Sequence, residues 1–173
     1  MGNDKIERAR LLATFIHLGQ RRSDGEDYIK HCERIVHKLA SDFFDSNLAT
    51  TNEALPLTQE QEDMICAAWL HDTVEDSPMG RQLFIVINAY FGPHVTTLIS
   101  LLTHDEEETY NEYIAMIAKH PEALQIKWLD MIDNTSYNIP KKQWEKYRNA
   151  CLMLMLSRVT VPDILVERLI LEG

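Results

Sequence analysis

Met64-Ile65-Cys66-Ala67-Ala68-Trp69-Leu70 runs without a break into His71-Asp72-Thr73-Val74-Glu75-Asp76. Seven apolar positions in a row leave no face for water, so the run predicts a helix buried on all sides. Thr58-Gln59-Glu60-Gln61 just upstream has the Thr-x-x-Gln spacing of a capping box and marks where that helix starts. An imidazole and three carboxylates at the far end are costly to desolvate unless paired, solvated in a cleft or bound to a cation. An exposed helix end followed by an ordinary acidic loop would account for the same residues.

Helical spacing continues on both sides of this stretch. Upstream, Ile6, Ala9, Leu12, Ala13 and Ile16 share one face of a helix over about Asp4–Leu18, which the polar, glycine-bounded segment Gly19 to Gly25 ends. A second helix, about Tyr28–Phe44, carries Cys32, Ile35, Val36, Leu39 and Phe43 as its stripe, and His31 faces the same interior. Ser46 to Pro56 reads as a polar loop. Downstream, a helix is expected over about Gly80–Tyr90. Gly92 ends it and Pro93 opens the next, which runs to Leu102. Further helices are expected over Glu107–Lys119, Pro121–Asn134, Lys141–Val159 and Pro162–Leu171. No Val/Ile/Thr-rich alternating segment predicts a strand. The expectation is an all-α bundle of about nine helices.

At 173 residues, with 45% apolar and 25% charged residues, the chain fits one globular domain over residues 1–173. No apolar run is long enough to span a bilayer, and Met1-Gly2-Asn3-Asp4-Lys5 leads straight into an amphipathic pattern, so a cytoplasmic protein is expected. Cys32, Cys66 and Cys151 form no Cys-x-x-Cys pair, which argues against a thiolate metal site or a disulfide framework. A net charge of −10 opposes non-specific binding to nucleic acid, and any anionic substrate, here expected to be a small molecule, must be met by a local cluster of cations.

His31, His71, Asp72 and Asp130 come from three predicted helices. Each has a bland explanation: His31 as a hydrogen-bonded core histidine, Asp130 as the partner of Lys127. Together, two imidazoles and two carboxylates form a ligand set for one divalent cation with positions left open. Bundles build metal sites from inward-facing side chains in this way.

The pattern His, then His-Asp, then a distant Asp resembles the HD superfamily of metal-dependent phosphohydrolases. Ala13-x-x-x-His17-x-Gly19-Gln20-x-Arg22-x-x-Gly25-x-x-Tyr28-x-x-His31 is similar to the opening of the hydrolase domain of RelA/SpoT proteins and small alarmone hydrolases. His71-Asp72-x-x-Glu75-Asp76, Phe91-Gly92-x-x-Val95, Leu102-Thr103 and Lys127-x-x-Asp130-x-x-x-Asn134 resemble later landmarks of the same domain, in the same order. The resemblance implies an HD-domain helical bundle around a single metal site. Its ion would be Mn²⁺, with other divalent cations as substitutes, held by His31, His71, Asp72 and Asp130. It further implies removal of the 3′-pyrophosphate from guanosine tetra- or pentaphosphate. A mixed nitrogen and oxygen set suits Mn²⁺ better than Mg²⁺. Glu75 and Asp76 follow the ligand pair closely enough to orient a water or take its proton. Arg22 matches the arginine that stacks on the purine. Tyr28 lines the pocket or is core, Lys127 meets phosphate or is a surface lysine, and Asn134 holds a ribose or phosphate oxygen.

Four positions depart from the family pattern: Cys32, Ser23, Met131 and Tyr137 stand where a proline, a cation, an arginine and a threonine are usual. None is a metal ligand, so the departures alter the pocket and leave the chemistry. The alternatives are an HD-type 5′-nucleotidase acting on nucleoside monophosphates and a nucleotide-binding module without catalysis. His94 and His104 read as exposed helix-end histidines in preference to ligands of a second metal. The stripe Cys151 to Leu156 is expected to be core or the face of a homodimer.

Overall fold

The computed structural model describes residues 2–51, 56–105, 107–137 and 139–171, and among these it contains helices and no strand. The helices are α1 (Gly2–Ile16), α2 (Ile29–Thr51), α3 (Gln59–Leu70), α4 (Thr73–Asp76), α5 (Leu83–Phe91), α6 (Pro93–Leu102), α7 (Tyr110–Ile117), α8 (Pro121–Asn134), α9 (Lys141–Leu156) and α10 (Asp163–Val166). A 3₁₀ turn, Gly80–Gln82, leads into α5, and a π turn, Glu167–Leu171, follows α10. The nine expected helices are present, and α4 adds a single turn where a loop was expected. No described helix is long and apolar enough to cross a membrane.

The chain divides into two compact units, Met1–Thr103 and His104–Gly173. In the first, α1, α2 and α6 all pack on α3, and α5 packs on α6. Every residue of α3 from Asp63 to Leu70 is buried, as a run with no polar face requires. Thr58 starts this helix: its side chain accepts from Gln61 N–H, and the Gln61 side chain accepts from Thr58 N–H at 2.9 Å. The α2 stripe Cys32, Ile35, Val36, Leu39 and Phe43 is buried as expected. The helix itself continues past Phe44 to Thr51, through the segment expected to be a loop; residues 52–55 of that loop lie outside the described residues. Gly92, at φ 86°, takes the left-handed backbone that ends α5, and Pro93 follows at the first position of α6.

In the second unit, α7 packs on α8 and α9, α10 on α8, and the π turn on α9. Helix α7 starts three residues later than expected, because Thr109 and Glu112 form a second capping box. On α9, Cys151 and Leu154 are buried, whereas Met155 and Leu156 are exposed, so the apolar stripe is only partly core. All three cysteines are buried. Burial pushes the Cys66 thiol up to about 12 and the Cys151 thiol up to about 11, which makes both poor nucleophiles at neutral pH.

Candidate metal centre

The end of α3 shows why His71 and Thr73 follow a buried apolar helix. The last carbonyls of a helix have no partner within it, and here two side chains supply one. His71 Nδ1 lies 2.9 Å from Ala68 O, and Thr73 Oγ1 donates to Leu70 O at 2.7 Å. The chain then re-enters a helical turn at Thr73, with Asp72 at the joint.

This capping sets the chemistry of His71. A carbonyl oxygen only accepts, so Nδ1 carries a proton and the neutral ring presents the lone pair of Nε2. Nε2 is 2.8 Å from Asp72 Oδ2, and His31 Nε2 is 3.8 Å from the same oxygen. A lone pair and a carboxylate oxygen at that separation call for positive charge between them. The two imidazole rings are 5.2 Å apart, and His31, His71 and Asp72 each offer a ligand atom within 4.8 Å of the others. Both histidines are buried and Asp72 is partly exposed, so one side of the cluster meets solvent. Two imidazole nitrogens and a carboxylate oxygen suit a divalent transition metal.

Tyr28 belongs to this cluster. Its hydroxyl donates to Asp72 Oδ2, its ring meets His31 edge-on at 5.4 Å, and it lies 4.7 Å from the His17 ring. Tyr28, expected to line the pocket or to be core, is thus placed to orient the Asp72 carboxylate. Glu75 and Asp76 are exposed on α4. Asp76 Oδ2 accepts from Gln20 Nε2 at 2.9 Å, a contact across 56 positions that sequence reasoning did not anticipate, although Gln20 stands in the pattern that carries the family resemblance. Arg22 lies in a loop whose backbone is closed by bonds from Arg22 N to Glu26 O, from Gly25 N to Arg22 O and from Tyr28 N to Gln20 O. Lys30 is exposed and pairs with Glu33.

In the second unit Asp130 is buried on α8, between two residues expected to bind substrate. Lys127 Nζ donates to Oδ2 at 2.7 Å from one turn before, and Asn134 Nδ2 donates to Oδ1 at 2.6 Å from one turn after. Burial works against charge on Lys127. The Asp130 carboxylate, with Tyr113, Tyr110 and Tyr147 around it, nevertheless holds the ammonium well above its usual range. Tyr113 lies under Lys127 Nζ at 5.5 Å, and Asn134 also reaches the Tyr147 hydroxyl at 3.3 Å. Of the other histidines, His94 meets Asp63 at 3.1 Å, and His104 Nε2 donates to Glu108 O at 2.9 Å. Burial pushes the Tyr110 hydroxyl well up.

No family model matches the chain. It is 30% identical over 139 residues to the guanosine-3′,5′-bis(diphosphate) 3′-pyrophosphohydrolase of Aquifex aeolicus, covering 76% of this chain and 17% of that protein. A GTP pyrophosphokinase of Streptomyces coelicolor is 31% identical over 139 residues, covering 75% of this chain and 14% of that protein. The match therefore spans about a sixth of the length of these curated relatives. In three dimensions the chain superposes on a metazoan orthologue of SpoT, a protein described as hydrolysing ppGpp. The TM-score is 0.65 at 21% identity, covering 94% of this chain and 90% of that one. The fold is that of a RelA/SpoT-hydrolase-like HD domain. The structure brings the His-Asp pair at the end of α3 together with the histidine on α2.

Proposed function

We propose that this chain is a divalent-metal-dependent phosphohydrolase that removes the 3′-pyrophosphate from guanosine tetraphosphate- or pentaphosphate-like alarmones, with Mn²⁺ as its ion. The observation that carries the reading is the His71–Asp72 contact, in which helix capping turns the lone pair of His71 Nε2 toward a carboxylate oxygen. The name of the Aquifex relative supports the substrate class.

In this reading His31, His71, Asp72 and Asp130 hold the ion, which would supply positive charge for a phosphate oxygen and a more acidic water. Tyr28 keeps Asp72 in place. Lys127 and Asn134 hold Asp130 charged and oriented, in addition to the substrate contacts expected of them. Glu75 and Asp76, exposed beside the His-Asp pair, orient the attacking water and accept its proton. Arg22 stacks its guanidinium on the purine. The substrate is a small nucleotide in the cytoplasm and not a nucleic acid, in keeping with the net charge of −10. Met155 and Leu156, exposed at the end of α9, are the face on which a homodimer would form.

A nucleotide panel tests the function. Purified protein with Mn²⁺ is expected to release pyrophosphate from guanosine tetraphosphate, measured by coupled assay and by chromatography of the nucleotide product. Orthophosphate release from nucleoside monophosphates alone would instead establish the 5′-nucleotidase alternative. No turnover of any nucleotide would leave the binding module.

A further inference from the structure

His17 and Gln20 have no part in the chemistry described so far, yet they form a directed chain of hydrogen bonds that ends on Asp76. The His17 side chain is completely buried, and its Nδ1 lies 2.7 Å from Gln20 Oε1. At its other end the Gln20 amide donates from Nε2 to Asp76 Oδ2 at 2.9 Å. An ionised carboxylate can only accept, so the amide must turn its NH₂ to Asp76 and its oxygen to His17. That oxygen in turn can only accept, so the imidazole proton sits on Nδ1. His17 Nε2 is buried and makes no hydrogen bond. Nδ1 also lies 3.6 Å from Asp76 Oδ2, and a second proton on the ring would still strand an N–H at Nε2, which costs more than leaving a lone pair unmet. His17 therefore carries its proton on Nδ1, toward Gln20.

Asp76 needs such a tether. It is the last residue of the four-residue α4, and its side chain is partly exposed, so freezing it in one rotamer costs entropy that a partner must offset. Gln20 starts from a fixed point, because its N–H donates to His17 O and its carbonyl accepts from Tyr28 N–H, each at 3.0 Å. The His17 ring also lies against Tyr28, whose hydroxyl holds Asp72.

We infer that His17 and Gln20 are positioning residues: His17 Nδ1–H fixes which way the Gln20 amide points, and that amide aims the Asp76 carboxylate. The inference rests on the role proposed above for Asp76. An asparagine at position 17 carries its amide nitrogen on Cγ, where His17 carries Nδ1, whereas a glutamine places its amide one carbon further out. His17→Asn should therefore keep kcat within about threefold, while His17→Gln and Gln20→Met lower kcat by about 10- to 100-fold with KM little changed. Mn²⁺ affinity, measured by calorimetry, should stay as in the wild type for all three variants. Long-range ¹H–¹⁵N spectra of the full chain, recorded without the paramagnetic Mn²⁺, should show the proton of His17 on Nδ1 and a changed signature in Gln20→Met. A proton on Nε2, or wild-type kcat in Gln20→Met, would overturn the inference, as would equal effects of Asn and Gln at position 17. If the wild type turns over no nucleotide, the proposed function fails separately, and the tautomer of His17 with its response to Gln20→Met still decides the matter.

Discussion

Asp63 is a buried carboxylate whose partners come from three segments of the first unit. Lys5 Nζ on α1, Gln59 Nε2 one turn earlier on α3 and His94 Nδ1 on α6 all donate to it. Burial alone would raise its pKa, but the bonds from Lys5, Gln59 and His94 outweigh burial and hold the carboxyl below its ordinary 3.8. A carboxyl whose folded value is depressed contributes stability above its unfolded value and loses it as pH falls through the folded one. Asp63→Asn is thus expected to be less stable than wild type by about 1–3 kcal/mol near neutral pH. The gap should close progressively as pH falls below 3.8, as read by urea denaturation at a series of pH values. A gap independent of pH would show that Asp63 contributes through packing and not through its charge. The contrast with Asp72 is instructive: both are acids next to histidine, but only Asp72 faces two imidazole nitrogens on a side that meets solvent.

Helix ends carry much of the local architecture. Helix α9 was expected to run to Val159 and stops at Leu156, because Arg158 adopts a left-handed backbone with φ 62°. Val159 N–H bonds to Leu154 O at 2.9 Å and Arg158 N–H to Met155 O at 3.0 Å, the paired bonds of a Schellman motif. Glycine usually occupies that position, since a Cβ there costs energy. Arg158→Gly is expected to stabilise the protein by about 0.5–1 kcal/mol. That corresponds to a rise in Tm of about 1–4 °C in calorimetry, with no change in the helical circular-dichroism signal. A lower Tm would mean that the arginine side chain contributes more than the backbone strain costs. At the end of α8 a distant residue does similar work: Arg168 Nη1 donates to Ile132 O at 2.9 Å and to Ser136 Oγ at 3.0 Å, which satisfies the turn just beyond Asn134.

At the scale of the whole molecule, a cation bound by the native chain and not by the unfolded one should stabilise it by mass action. At Mn²⁺ a hundredfold above its Kd the gain is about 2.7 kcal/mol, or about 5–10 °C in Tm for a chain of this size. The wild type is expected to show this shift by scanning fluorimetry and to lose it on chelation. His71→Ala should show none, and an equal shift in His71→Ala would remove His71 from the ligand set.

The helical architecture was legible because apolar spacing survives in one dimension. The α2 stripe, the unbroken α3 run, the Thr58 capping box and the Gly92-Pro93 boundary each depend on neighbours within a few residues along the chain. So did the types of residue at the candidate metal centre, since His71-Asp72 directly follows the buried run in the chain. Local rules failed where small propensity differences were set against helix propagation, as in α2 continuing to Thr51. They failed again where a left-handed arginine stood in for glycine.

What only the folded chain decided is which group serves which. Tyr28 turns to Asp72 across 44 positions and Gln20 to Asp76 across 56. Spacing already offers Lys127 as a partner for Asp130, but it does not report the burial that commits Lys127 and Asn134 to the two oxygens of Asp130. A hydrogen bond is directional and a buried polar group must find one, so its partner is set by the helices that pack around it. Those neighbours exist only in three dimensions.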